Sequence, residues 1–270
     1  VPAKARLQRK LREEAKKEEC NIPDFFTRSL RMATQAGRLQ LSKCHGALGS
    51  NEGSPIVFTA PHSIYLRRDG HKPHMPETLT SRLARDIAED IQCTSLTWCA
   101  QEEKRSRRWY KAHGKPDASN QDPNFTNAKE VQDNMWARTL AMARWCFGDK
   151  REVLHVDLHG CKDPGPDGGA HLVVGMGAME LQGNPDLEDM RTVLHRTLSL
   201  ALEGFSVNMR PKKSLTGVCS EEGRWTLSQQ SLSKWGGLYS HSLQIEMSKR
   251  LRQTLASSRE LRKVFGNAIV

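Results

Sequence analysis

Six short apolar runs recur along this chain, at residues 56–60, 94–98, 153–158, 171–175, 206–209 and 243–247, and segments of helical periodicity lie between several of them. Runs of four to six residues bounded by polar and turn-forming residues fit strands buried on both faces. The intervening segments repeat their apolar residues at helical spacing. Leu83, Ile87 and Ile91 make one stripe over 80–91, residues 128–147 are amphipathic, 187–202 follows the helix-start signal Asn184-Pro185-Asp186, and a last helix is predicted over 248–264. Strands that alternate with helices need crossover connections, so the fold class is α/β, with a mostly parallel sheet covered on both sides.

That pattern occupies residues 54–270. Ahead of it, residues 1–53 read as a basic helical extension and linker, closed by the turn-rich stretch Gly46 to Pro55. The chain carries a net charge of +10, and residues 1–44 hold eleven Lys and Arg against five acids, so +6 of the total belongs to this segment. Its mixed-charge run from Arg9 to Glu19 suits a solvated helix laced by i,i+4 pairs, with a protein- or RNA-binding arm as the competing reading. The remainder is close to an ordinary balance, which argues against the whole chain being a nucleic-acid binder. Lys104, Arg105, Arg107 and Arg108 beside Trp109 and Tyr110 fit either a positive rim or plain surface better than a nucleic-acid face.

A 270-residue chain, 37% apolar, can bury one large core or two small ones. No run approaches the roughly 18 to 20 apolar residues of a membrane span, and the first twenty residues lack the apolar stretch of a secretory signal. Seven cysteines without a CxxC pair are expected to be reduced thiols. The expected setting is therefore intracellular, in the cytoplasm or an organellar matrix. Any metal would be held by histidines and carboxylates.

Polar residues at strand ends are where such a sheet binds ligands. The first run ends in Pro61-His62-Ser63, the third in Asp157-Leu158-His159-Gly160, and the last delivers Glu246. Two imidazoles and a carboxylate at the ends of neighbouring strands make a set that zinc accepts. Singly, each has a plainer reading as hydrogen-bonded or ion-paired structure. Between the first two runs, the loop Arg67 to Glu77 adds His71, His74, Asp69 and Glu77, which read equally as a polar surface loop.

The blocks PIVFTAPHS, HVDLHG, HLVVGM, SVNMRPKKSLTG and LQIEMSKRLR, in this order over roughly residues 54–252, resemble those of the N-formylglutamate amidohydrolase family. That family is similar to the zinc carboxypeptidase and aspartoacylase group. The resemblance implies a three-layer α/β/α sandwich with a mixed sheet, a zinc or related divalent ion, and hydrolysis of an amide bond in a small N-acyl amino acid or peptide. It implies that His62 and His159 are metal ligands, that Asp157 orients a ligand, and that Glu246 is the general base.

Two departures stand out. The residue three positions after His62, where carboxypeptidase-type sites place a carboxylate ligand, is Tyr65. Glu77, just ahead of the helix expected from about Thr80, is the favoured replacement, with Asp69 and His74 as competitors. The substrate-gripping Asp-x-Asn-Arg of related hydrolases becomes Asp122-Pro123-Asn124-Phe125, which keeps Asp122 and Asn124 and loses the arginine. Arg210, Arg108, Lys212 and Lys213 are the cations available instead. The altered grip and basic extension leave a second reading, a catalytically silent subunit of a larger, RNA-containing or protein assembly.

Overall fold

The computed structural model describes residues 37–42, 54–147, 152–165, 169–211 and 215–270. Its main sheet has seven strands: β1 (Leu39–Leu41), β2 (Ile56–Ala60), β3 (Thr94–Trp98), β5 (Leu154–Gly160), β6 (Leu172–Gly175), β7 (Val207–Asn208) and β9 (His241–Met247). A separate two-stranded ribbon pairs β4 (Thr126–Asn127) with β8 (Arg224–Trp225). The sheet order is β1-β3-β2-β5-β9-β6-β7. Four of its six neighbour pairs are parallel; β1 and β6 run antiparallel to β3 and β9.

All six predicted strands form, and the sheet is mixed and mostly parallel as expected. Helices Thr80–Asp90, Lys249–Ser257 and Arg259–Ile269 pack together on one side, while Met135–Cys146 and Leu227–Leu232 pack together on the other. The predicted helix over 128–147 is divided at Asn134, whose side chain accepts from Trp136 N and donates to Thr126 Oγ1. The one over 248–264 is divided at Ser258, which caps the second helix through Leu261 N. In both places a polar side chain captures an unpaired helix-start amide, which periodicity does not register.

The extension is corrected at its end. Leu39 and Leu41 are buried, and Leu39–Leu41, inside the stretch expected to be a helical extension, pairs with β3 as an edge strand of the main sheet. Residues 1–36 and 43–53, with the helical and partner-binding expectations placed on them, lie outside the described residues. Helix Ala100–His113, carrying the basic run, had read only as a charge cluster. Among the described residues no helix is long and apolar enough to cross a membrane.

The two faces of the central strands differ. Phe58, Val156, Leu158, Leu243, Ile245 and Met247 supply one apolar face, whereas Thr59, His155, Asp157, His159, Ser242, Gln244 and Glu246 alternate with them and fall on the other. The polar face leads directly to the carboxyl ends of β2, β5 and β9.

Candidate metal centre

His62 sits in the short turn Pro61–Ser63 that continues β2, held by the Trp98 indole donating to the Pro61 carbonyl. His159 is the penultimate residue of β5. The register sets it beside Glu246 of β9, and Asp157 beside Gln244. The loop from β2 returns so that Glu77 N donates to the His62 carbonyl at 2.7 Å, while Thr80 Oγ1 ties down the Glu77 carbonyl at the start of the following helix. Glu77 is thereby aimed back at the strand ends.

These side chains converge. His62 Nδ1 lies 3.0 Å from His159 Nδ1 and 3.0 Å from Glu77 Oε1, and His159 Nδ1 lies 3.6 Å from Glu77 Oε2. Glu77 Oε2 also accepts from Gly160 N. Behind the pair, His62 Nε2 contacts Asp122 Oδ1 at 2.9 Å and His159 Nε2 contacts Asp157 Oδ2 at 2.8 Å. Both aspartates are fully buried. A carboxylate only accepts, so each takes a hydrogen from Nε2 and leaves Nδ1 as the ring atom that faces the cluster. Two Nδ1 atoms and a carboxylate facing one another suit a positive charge between them, carried either as ring protons or by a metal ion.

The donor set fits zinc. Nitrogens bound at about 2.0 to 2.1 Å to one ion lie no more than about 4 Å apart, a limit that the His62–His159 separation meets, and three protein ligands leave a fourth position open. His74 is the remaining neighbour. Its ring centre lies 3.9 Å from that of His62, tilted by 35°, and its Nε2 is 3.4 Å from Glu77 Oε1, so His62, His74 and Glu77 also offer a convergent triad. His159 differs from His74 in having its far ring nitrogen held by a fully buried carboxylate, that of Asp157. The other competitor, Asp69, pairs with Arg67 on the surface.

Charge follows the same logic. Burial alone would depress His62, but the carboxylates of Asp122 and Glu77 outweigh it and raise its pKa to about 9; His159 is likewise raised, by Asp157 and Glu77. Burial would raise Glu77 and Asp122, yet both are held well below the usual carboxylate range by the neighbouring imidazoles. His74 moves the other way, to about 3, through burial and the charge on His62. Glu246 is raised to about 7, chiefly by burial, with the negative charge of Glu77 adding to it; Gln244 Nε2 donates to its Oε1 at 3.3 Å.

The expected substrate residues fare differently. Asn124 is at the centre, but its groups are engaged: Oδ1 accepts from Leu227 N, and Nδ2 sits 2.8 Å from Asp157 Oδ2 and 3.0 Å from His159 Nε2. Arg210 pairs with Glu188, and Arg108 lies exposed on the helix Ala100–His113; neither is brought to the cluster. Lys212 and Lys213 lie outside the described residues. Tyr65, where the carboxylate was missing, stacks on Tyr110. Phe125, where the arginine was missing, has the guanidinium of Arg224 at 4.9 Å and that of Arg68 at 5.9 Å from its ring centre. Arg68 also donates to Asp122.

From the sequence, Asp122 stood only as a kept member of the substrate-gripping motif, and Arg68 and Thr59 had no role. The spacing Asp122-x-Asn124 was the available signal for the first, and nothing local marked the other two.

No protein-family model and no curated protein matches the chain in sequence. Among solved structures, it is similar to N-formylglutamate amidohydrolase from Ralstonia eutropha JMP134, at 15% identity over 86% of this chain and 95% of that one, with a TM-score of 0.46. It is similar to a metallo-carboxypeptidase from Burkholderia cenocepacia, at 12% identity over 90% of this chain and 65% of that one, with a TM-score of 0.44. A zinc-free apo form of YNDL matches at 15% identity over 86% of this chain and 87% of that one, with a TM-score of 0.37.

Proposed function

We propose that this domain is a metal-dependent hydrolase of amide bonds, acting on a small N-acyl amino acid or peptide. The observation that carries the reading is the convergence of His62 Nδ1, His159 Nδ1 and Glu77 on one point, with both far ring nitrogens tied to buried aspartates. In this reading His62, Glu77 and His159 hold a zinc or related divalent ion. Such an ion, when bound, makes water acidic enough to attack at neutral pH and polarises a carbonyl.

The chain's own residues would do the rest. Glu246, buried beside His159 and with its pKa near 7, takes a proton from the attacking water at a carboxylate oxygen and delivers it to the departing amine nitrogen. Gln244 holds one oxygen of that carboxylate. Asp122 and Asp157 keep the two imidazoles oriented. Arg68 and Arg224, both beside the ring of Phe125, are the cations offered to an anionic group on the substrate.

The test is a panel of N-acyl amino acids and dipeptides, incubated with protein that has been zinc-loaded, and with the same protein after chelation. Turnover that disappears on chelation and returns with zinc is expected. Protein purified without chelator that holds well under one equivalent of transition metal, and cannot be loaded, overturns the reading.

A further inference from the structure

A continuous row of hydrogen bonds runs across three adjacent strands beneath the cluster. Ser242 Oγ lies 2.9 Å from His155 Nδ1, His155 Nε2 lies 3.0 Å from Thr59 Oγ1, and Thr59 Oγ1 lies 2.6 Å from Asp157 Oδ1. Asp157 Oδ2 then meets His159 Nε2. Ser242, His155, Thr59 and Asp157 are all 0% exposed, so no solvent competes for these bonds.

Counting hydrogens fixes the direction of the row. Asp157 can only accept, so the single hydroxyl hydrogen of Thr59 goes to it. The Thr59 oxygen has only lone pairs left for its other neighbour, and His155 must therefore carry its hydrogen on Nε2. With that nitrogen donating, Nδ1 of the neutral ring accepts from the Ser242 hydroxyl. Every hydrogen in the row points towards Asp157, which receives Thr59 on one oxygen and His159 on the other.

Strand interiors at such positions are ordinarily filled by Val, Ile or Leu. A valine at 59 would match the shape of threonine while stranding both His155 Nε2 and Asp157 Oδ1 without a partner. We propose that Thr59, backed by His155 and Ser242, is a positioning residue: it fixes the Asp157 carboxylate so that its second oxygen faces His159 Nε2 and His159 Nδ1 faces His62. This rests on the metal-site reading above for its consequence, but not for its geometry.

Three measurements test it. Zinc dissociation constants, read by competition with a chromophoric chelator, are expected to weaken about 10- to 100-fold in Thr59→Val and to return to within about 2-fold of wild type in Thr59→Ser. A crystal structure of Thr59→Val is expected to show Asp157 turned away from His159. Nitrogen-15 spectra of the wild-type imidazoles, assigned with His155→Gln, are expected to show His155 protonated on Nε2 and bare on Nδ1.

Unchanged zinc affinity in Thr59→Val, an Asp157–His159 contact that survives in its crystal, or a wild-type His155 bare on Nε2 each overturns the proposal. A wild-type protein that binds no zinc defeats the hydrolase reading, while the crystal and the spectrum still decide the positioning. Where Thr59→Val fails to fold, the wild-type spectrum decides.

Discussion

The Nδ1 atoms of His62 and His159 face each other at 3.0 Å, with the ring hydrogen of each committed to an aspartate on its far side. Neither ring can turn to relieve the opposition without breaking a buried carboxylate contact, so the gap between them is maintained by the fold. A positive charge resolves the opposition, as a ring proton or, in the proposed function, as a metal ion.

Replacing either histidine by alanine should therefore weaken zinc binding by more than about 100-fold, beyond the loss seen when only an outer partner of a ligand is removed. Competition titration against a chromophoric chelator measures it. His74→Ala should cost much less; if instead it costs as much as His159→Ala, then His62, His74 and Glu77 are the ligands.

Asp122→Asn should retain the shape of the site while weakening its hold on His62. A loss of about 10- to 100-fold in zinc affinity is expected, with the protein still folded by circular dichroism. An unaltered affinity would mean that Asp122 serves Arg68 and the loop at Asn124 rather than the imidazole.

Glu246 gives a pH signature. Burial raises its pKa to about 7, and a general base works only when unprotonated, so kcat/KM should be present above pH 7 and fall as the pH drops through it. Glu246→Gln should remove turnover by about 10²- to 10⁴-fold, the range of general acid-base catalysis, with zinc still bound. Loss of zinc in that variant would make Glu246 a ligand.

Arg252 joins three pieces of backbone. Its guanidinium donates to the carbonyls of Thr78, Cys161 and Met247, which lie next to Glu77, after β5 and at the end of β9. A side chain on Gly160 would strike that guanidinium, since a Cβ there falls 2.3 Å from Nη1. Arg252→Met should destabilise the fold by about 2 to 4 kcal/mol, by stranding buried carbonyls that a charged donor had satisfied. Urea unfolding measures this, and a change below about 0.5 kcal/mol would contradict it.

The sheet and its strand ends were legible because they are local. Ile56–Ala60 and Thr94–Trp98 form over the predicted residues, and His62, Asp157, His159 and Glu246 arrive together because parallel neighbours place their carboxyl ends side by side. The polar face was written in the same strands: His155, Asp157 and His159 alternate, as do Ser242, Gln244 and Glu246, a period of two that marks one side of a sheet. Long-range pairings were not legible. Arg68 reaches Asp122, Thr59 reaches His155, and Leu39–Leu41 pairs with β3 across more than fifty residues of chain, where no periodicity records the partner. The arginine sought in place of Phe125 was looked for along the sequence at 108 and 210, whereas Arg68 and Arg224 reach that ring through the fold.

One reversal in the sheet has a bearing on how such a domain could be altered. Because β6 runs antiparallel to β9, with Leu172 beside Met247, the connection leaving β5 at Gly160 re-enters the sheet at the same end, next to His159 and Glu246. A crossover to a parallel strand would have carried the chain away to the opposite end. The described residues 161–165 thus leave β5, and 169–170 return to β6, at the end of the sheet that carries His159 and Glu246. In the proposed hydrolase, a substitution at 162–165 is therefore expected to be felt at the substrate's side of the sheet before it is felt in the strands.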